Sequence, residues 1–372
     1  WIALSRGSDA NAVSNSGRIM AALGNISLAG HEITQAGTLL ASTSVTTNGS
    51  INLLARDQVN DRGAGAPIAI KSQRKLDGNG IAAVQTNETY NSSDKANEPE
   101  FTNGKVGGTL TLAAGSSTKV VLDGSDGKTL GSDQPFISSL IDSAAKQIVV
   151  ADASGTAAGA LVEAKGGRIG LRSSESFDPS FSAFAVDPVS VDQASSAMGG
   201  VGIFIGTGSR IDASGVVAQK SVADLFIKVE LRGDEFAGNP VQRNGTLRGK
   251  TAWVDIRDDV KIADLSGWFA RVGQSLEEKA TSGGSISLRS AGSVIVKPDA
   301  ELDVSGGGIA YAGGRVTESR VLSVGGKAFR LNDAPTSAKY YGMRERNRTL
   351  ADYYEGRSAG TLELIAHSLA VD

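Results

Sequence analysis

The chain contains no cysteine, which excludes disulfide staples, thiolate metal sites and thiol nucleophiles in one step. A chain without cross-links also suits export in an extended form through a narrow pore. Histidine is almost as scarce, with His31 and His367 the two present. His31-Glu32 begins like a zinc-protease helix, but residue 35 is Gln where the second histidine belongs. No metal and no cofactor is therefore expected. Lysine and arginine number 37 against 40 acidic residues, a net charge of -3, so no field draws nucleic acid and none is expected as a partner. No apolar run approaches the roughly 20 residues that a membrane-spanning helix requires. No charged-then-apolar leader opens the chain. It starts at Trp1 and ends within a predicted strand, Leu362 to Val371, so the expectation is an excerpt from the interior of a longer protein.

What is present is glycine, 47 residues of it, with 40% hydrophobic residues of which few are aromatic. Val, Ile and Leu recur at regular intervals, unlike a disordered chain. One pattern occurs six times: Gly, any residue, Ile or Leu, any residue, Leu. The copies start at Gly24, Gly49, Gly108, Gly167, Gly284 and Gly360. Apolar and polar residues alternating in this way make a strand with one buried face, and the leading Gly marks the bend before it. A second pattern ends other strands: Leu122-Asp123-Gly124-Ser125, Asp152-Ala153-Ser154-Gly155, Ile211-Asp212-Ala213-Ser214-Gly215 and Leu302-Asp303-Val304-Ser305-Gly306. This is turn chemistry, since Asp and Ser side chains bond nearby backbone and Gly accepts positive φ.

Both patterns join between Gly283 and Gly307, where strands Ser285–Arg289, Ser293–Lys297 and Glu301–Val304 are predicted with short turns between them. That reads as one triangular coil. The predicted fold is all-β, a right-handed parallel β-helix (solenoid) with loop insertions. A β-sandwich or propeller is the competitor, but hairpin signals of the Asn-Gly type flanked by alternating strands are scarce. Ten to fifteen coils at about 4.8 Å each would give a rod roughly 50–70 Å long. The organisation that follows is coils over 1–55, a polar insertion or extended loop over 56–106, and coils over 107–308 with a smaller insertion near 173–198. A Tyr- and Arg-rich insertion then covers 309–358, and a last coil covers 359–372.

The GGxIxL strand, the LDVSGG turn and the segment from Tyr311 through Tyr341-Gly342 resemble the filamentous haemagglutinin type of two-partner secretion exoproteins, with Thr251–Tyr341 the most specific part. The resemblance implies a long β-helical passenger, secreted through a dedicated outer-membrane pore. It would act at the bacterial surface or in secreted form as an adhesin in attachment, aggregation or biofilm. An autotransporter passenger or a phage tail fibre shares this pattern.

Five of the six tyrosines fall in the last insertion (Tyr311, Tyr340, Tyr341, Tyr353, Tyr354), alongside Arg344, Arg346 and Arg348. Tyr rings and Arg forks are enriched where proteins bind partners. Tyr340, Tyr341, Arg344, Arg346, Arg348, Tyr353 and Tyr354 are therefore candidate contacts for a polysaccharide or a host or bacterial surface receptor. The blander reading, which we favour, is that the rings pin a long loop onto the rod. Arg232-Gly233-Asp234 matches a tripeptide that some adhesins present to integrins, though a turn after a strand also calls for this Gly.

Gly127-Lys128-Thr129 falls short of a phosphate-binding loop, because Leu122 stands where the first Gly belongs. The calcium-binding nonapeptide repeat is absent. A polysaccharide lyase or hydrolase, including the phage tailspike type, is the alternative function, with paired carboxyls as acid and base or nucleophile. Asp123, Asp152, Asp212 and Asp303 instead recur at one kind of turn, which argues for structure over a unique catalytic pair. No catalytic residue is assigned, and the protein is expected not to be an enzyme.

Overall fold

The computed structural model describes residues 12–55, 108–131, 134–174 and 200–371, together with the backbone of short strands at 3–4, 68–69, 72–76 and 82–86. Apart from those short strands, the expected polar insertion at 56–106 lies outside the described residues, as does most of the smaller one near 173–198. The protein is all-β, and its main body consists of parallel strands in three ladders.

The first ladder joins Asn25–Gly30, Ser50–Ala55, Leu140–Ala145, Arg168–Ser173 and the leading parts of Ser285–Val296 and Thr361–Val371. The second joins Ala12–Asn15, Glu32–Gln35, Thr109–Leu112, Gln147–Val150, Gly202–Ile205 and the trailing parts of the same two long strands. The third joins Arg18–Ala21, Thr38–Thr43, Ser117–Leu122, Leu161–Ala164, Arg210–Asp212 and Glu301–Asp303. The chain visits first, second and third in that order and begins again. Because Ser285–Val296 runs through two ladders, the first and second form one eleven-stranded sheet, and the third is a separate six-stranded one.

Register explains the alternation. Ile26, Ile51, Ile141, Ile169, Ile286 and Leu362 stand one above another on the first ladder. Leu39, Val162 and Ile211 do so on the third, with buried Thr118 between the first two, and Ile33, Leu110, Ile148 and Ile203 on the second, the aliphatic ones fully enclosed in one core. Each such side chain contributes roughly 1.5–3 kcal/mol by leaving water, so the aliphatic columns hold the stack without disulfides. The longest ladder has seven strands among the described residues, six steps of about 4.8 Å or roughly 29 Å. Among the described residues it is shorter than the ten to fifteen coils expected, because 213–284 and 304–360 lie outside the ladders.

Five of the six GxIxL copies lie on the first ladder; the copy at Gly108 lies on the second. Close approach requires glycine at Gly49, Gly108, Gly167, Gly284 and Gly360, whereas Gly24 has room for a side chain. A Cβ at Gly284 would overlap the Gly167 carbonyl oxygen, and one at Gly360 would overlap that of Gly284.

The stacked ladders do not run through the whole of 107–308. Between Asp212 and Ser285 the chain leaves them to form Val217–Ser221 and an antiparallel pair, Phe226–Leu231 with Lys250–Asp255. A second excursion, between Asp303 and Thr361, forms Gly308–Ala312, Gly314–Ser323, Ala328–Arg330, Tyr340–Leu350 and Tyr353–Gly356. The two excursions make one lateral module. Gly308–Ala312 pairs in parallel with Val217–Ser221. Val229, Phe236 and Val254 of the first share a core with Val321, Leu331 and Tyr340 of the second. The chain leaves the ladders because these residues have an apolar core of their own to fill.

Candidate functional site

The lateral module carries most of the residues that the sequence singled out. Its central sheet is antiparallel, with Gly314–Ser323 between Ala328–Arg330 and Tyr340–Leu350. Tyr340 is inside: it is 5% exposed, its hydroxyl donates to the Pro335 carbonyl at 2.7 Å, and its own carbonyl accepts from the Thr246 hydroxyl. Burial pushes its phenol up from the ordinary value. Tyr341 points the other way and is 57% exposed.

Tyr353 stacks on Tyr311, with ring centroids 4.6 Å apart. Its hydroxyl accepts from Arg257 at 2.7 Å, and that guanidinium is also held by Asp255 at 2.6 Å. Burial raises the Tyr311 phenol to about 12. Tyr354, one residue on, is exposed. Tyr340 and Tyr353 are thus occupied in holding the module together, while Tyr341 and Tyr354 are free to meet a ligand.

Arg344, Arg346 and Arg348 alternate along one strand and so share a face. Arg344 stands opposite Arg320, which stands opposite Arg330; Arg346 stands opposite Glu318, and Arg348 opposite Val316. Glu318 is 5% exposed, with Arg348 at 3.2 Å, Arg320 at 3.4 Å and Arg330 at 3.5 Å. These are ion pairs without hydrogen-bond geometry, so neither Glu318 oxygen has a hydrogen-bond partner. Arg330 Nη2 also donates to both Asp258 oxygens at 3.0 and 3.1 Å, and burial pushes the Asp258 carboxyl up in spite of that arginine. Arg348 lies over the Phe226 ring, 5.8 Å from its centroid. Arg344 and Arg346 are exposed and carry no ion pair among the described residues. Sequence reading missed Glu318, Arg320, Arg330 and Asp258, which stand far apart in the chain and meet through cross-strand register.

Arg232-Gly233-Asp234 lies at an exposed turn after Phe226–Leu231. The Arg232 guanidinium folds back onto Glu230 at 2.7 Å, and its backbone amide donates to Glu235 at 2.8 Å.

The Asp turns are spent on structure. Asp212 is buried and accepts from Lys165 at 2.5 Å, from Arg210 at 2.9 Å, and from the Ser214 amide and hydroxyl at 2.9 and 2.7 Å. Burial alone would raise its carboxyl, but Lys165 and Ser214 outweigh that and hold it below the ordinary value. Asp303 and Asp123 accept from the amides of Ser305 and Ser125 in the same way. Asp152 differs, accepting from the Thr207 amide and from Lys297. At Gly127 the amide donates to the Gly124 carbonyl, closing a turn. Among the described residues no cluster of His, Asp and Glu is arranged to hold a metal, and no helix is long and apolar enough to cross a membrane.

The chain matches no known family, no curated protein and no solved structure.

Proposed function

We propose that the chain is a stretch of right-handed parallel β-helix from a bacterial surface or secreted adhesin of the filamentous haemagglutinin type, a stiff rod that presents lateral contact surfaces and does no catalysis. The observation that carries the architecture is the single pass from Gly283 to Gly307, which contributes to all three ladders in turn, each strand in register with the pass below. Connections between parallel strands of one sheet are right-handed in about 98% of cases, which favours that hand here. Stacked units of this kind contact only their neighbours and tolerate insertions, and two such insertions build the lateral module.

Function follows from shape. A disulfide-free rod suits passage through a dedicated outer-membrane pore, and its stiffness holds the module away from the cell. The partner is a polysaccharide or a host or bacterial surface receptor. The recurrent aspartates, which a lyase or hydrolase would need as a catalytic pair, are engaged by turn amides and cations, which favours the adhesive reading. The test is a glycan and cell-binding screen of the purified chain, with release of reducing ends or unsaturated products followed in the same wells. Retention without product is expected; product release abolished by changing one acidic pair would replace the adhesin with an enzyme.

A further inference from the structure

We propose that the arginine-bearing face of the lateral module binds an anionic polysaccharide, one with carboxylate or sulfate groups along its chain. The proposal rests on the adhesive reading and narrows its ligand.

The first support is an arrangement that works against the fold. Arg330, Arg320 and Arg344 stand directly opposite one another across three strands, and like charges so placed destabilise a sheet. Arg346 and Arg348 extend the same face along the edge strand. Five guanidiniums thus meet two carboxylates, Glu318 and Asp258. Those two lie at the base of the face, where Glu318 reaches Arg320, Arg330 and Arg348. They fix the direction of these arginines without neutralising the row. Arg344 and Arg346, exposed and without ion pairs among the described residues, are left for a ligand.

The second support is continuity. Glu345 and Asn347 belong to the opposite side of the strand by alternation, so Arg344, Arg346 and Arg348 make an unbroken positive strip about 13 Å long. It stands on a chain whose net charge is -3, so an anionic ligand is attracted to this strip against the general field. Guanidinium forks match planar or tetrahedral oxyanions two bonds at a time. The face is a sheet, and the helices among the described residues are four residues long, too short to fill a duplex groove. Of the face's apolar members Val316 is buried and Leu322 and Ala328 are half-buried, so none projects to insert into a bilayer. A flexible acidic polymer lying along the strip satisfies both limits.

The test is retention of the full chain on immobilised polygalacturonate, which carries only carboxylates, dextran sulfate, which carries only sulfates, and neutral dextran. Retention on at least one anionic matrix, absent on dextran and falling as salt is raised, is expected. Arg344→Ala with Arg346→Ala should weaken it about tenfold without moving the melting temperature. Arg344→Lys with Arg346→Lys, which keeps charge and loses the fork, should fall between. The matrix that retains the chain separates the carboxylate source from the sulfate source. Equal retention of the double alanine variant, equal retention on dextran, or stronger binding to duplex DNA would overturn the proposal. Cell or neutral-glycan binding with no retention on either anionic matrix would overturn this site and leave the adhesive reading standing, whereas absence of all binding would remove both.

Discussion

Tyr311 and Tyr353 stack with their planes 10° apart and centroids at 4.6 Å, and this contact ties the end of the second excursion to its beginning. Tyr311 sits on Gly308–Ala312, which also pairs with Val217–Ser221 of the first excursion. Truncating it should therefore loosen both. Tyr311→Ala is expected to cost about 3 kcal/mol by chemical denaturation, and Tyr353→Ala less, since it is only partly buried. Denaturation curves identical to the parent would show that the stacked pair does not hold the module.

Tyr340 and Tyr341 are neighbours with opposite consequences. Tyr340→Ala empties a site in the apolar core and should cost about 3 kcal/mol. Tyr341→Ala, on the exposed side, should leave stability within about 0.5 kcal/mol. If Tyr341 meets a ligand, its variant loses binding at unchanged melting temperature, a separation that Tyr340→Ala cannot give. Equal destabilisation by both would contradict the orientation of this strand.

Gly284 and Gly360 are fixed by the approach of neighbouring backbone. Gly284→Val should disrupt the stack between Arg168–Ser173 and Ser285–Val296 and lower the denaturation midpoint sharply, where Gly325→Val, on an exposed hairpin, should not. Tolerance at Gly284 would mean that the passes are spaced more widely than described.

Asp212 gives a pH dependence of definite sign. Its folded pKa lies below the ordinary 3.8 because Lys165 and Ser214 favour the charged form. The stability it contributes is therefore present above that value and lost as pH falls towards the folded pKa. Asp303 behaves likewise, held down by Ser305. Acid titration of unfolding should show stability falling below about pH 4. Asp212→Asn should flatten that fall and cost about 2 kcal/mol at neutral pH; an unchanged acid limb would remove these turns from the account.

The strand period and the glycine bends were legible in the sequence because each depends on a few adjacent residues. Which ladder a strand joins was not. Thr109–Leu112 has the same alternation as Asn25–Gly30, yet it pairs with Glu32–Gln35 and Gln147–Val150 on the second ladder. Phe226–Leu231 alternates as well, yet pairs antiparallel with Lys250–Asp255, because alternation marks a buried face and says nothing of the partner's direction. At the candidate site the cluster of Tyr and Arg was visible. Its sorting was not, because it depends on cross-strand register. The shift between Leu322 and Ser323 brings Tyr340 opposite Ser323, and only the register between strands brings Glu318 and Arg320 to the arginines of Tyr340–Leu350.

The most direct test of the stacked architecture, on which every site assignment rests, uses the absence of native cysteine. Lys119 and Glu163 are paired in parallel register on the third ladder, with their charged groups 3.5 Å apart. Neighbouring strands lie about 4.8 Å apart, within the roughly 4.4–6.8 Å that a disulfide bridges. Lys119→Cys with Glu163→Cys should close an intramolecular disulfide under mild oxidation, whereas Lys119→Cys with Arg210→Cys, two strands and two residues away at about 12 Å, should not. Failure of the first pair, or equal closure of both, would contradict the parallel register and the rod proposed from it.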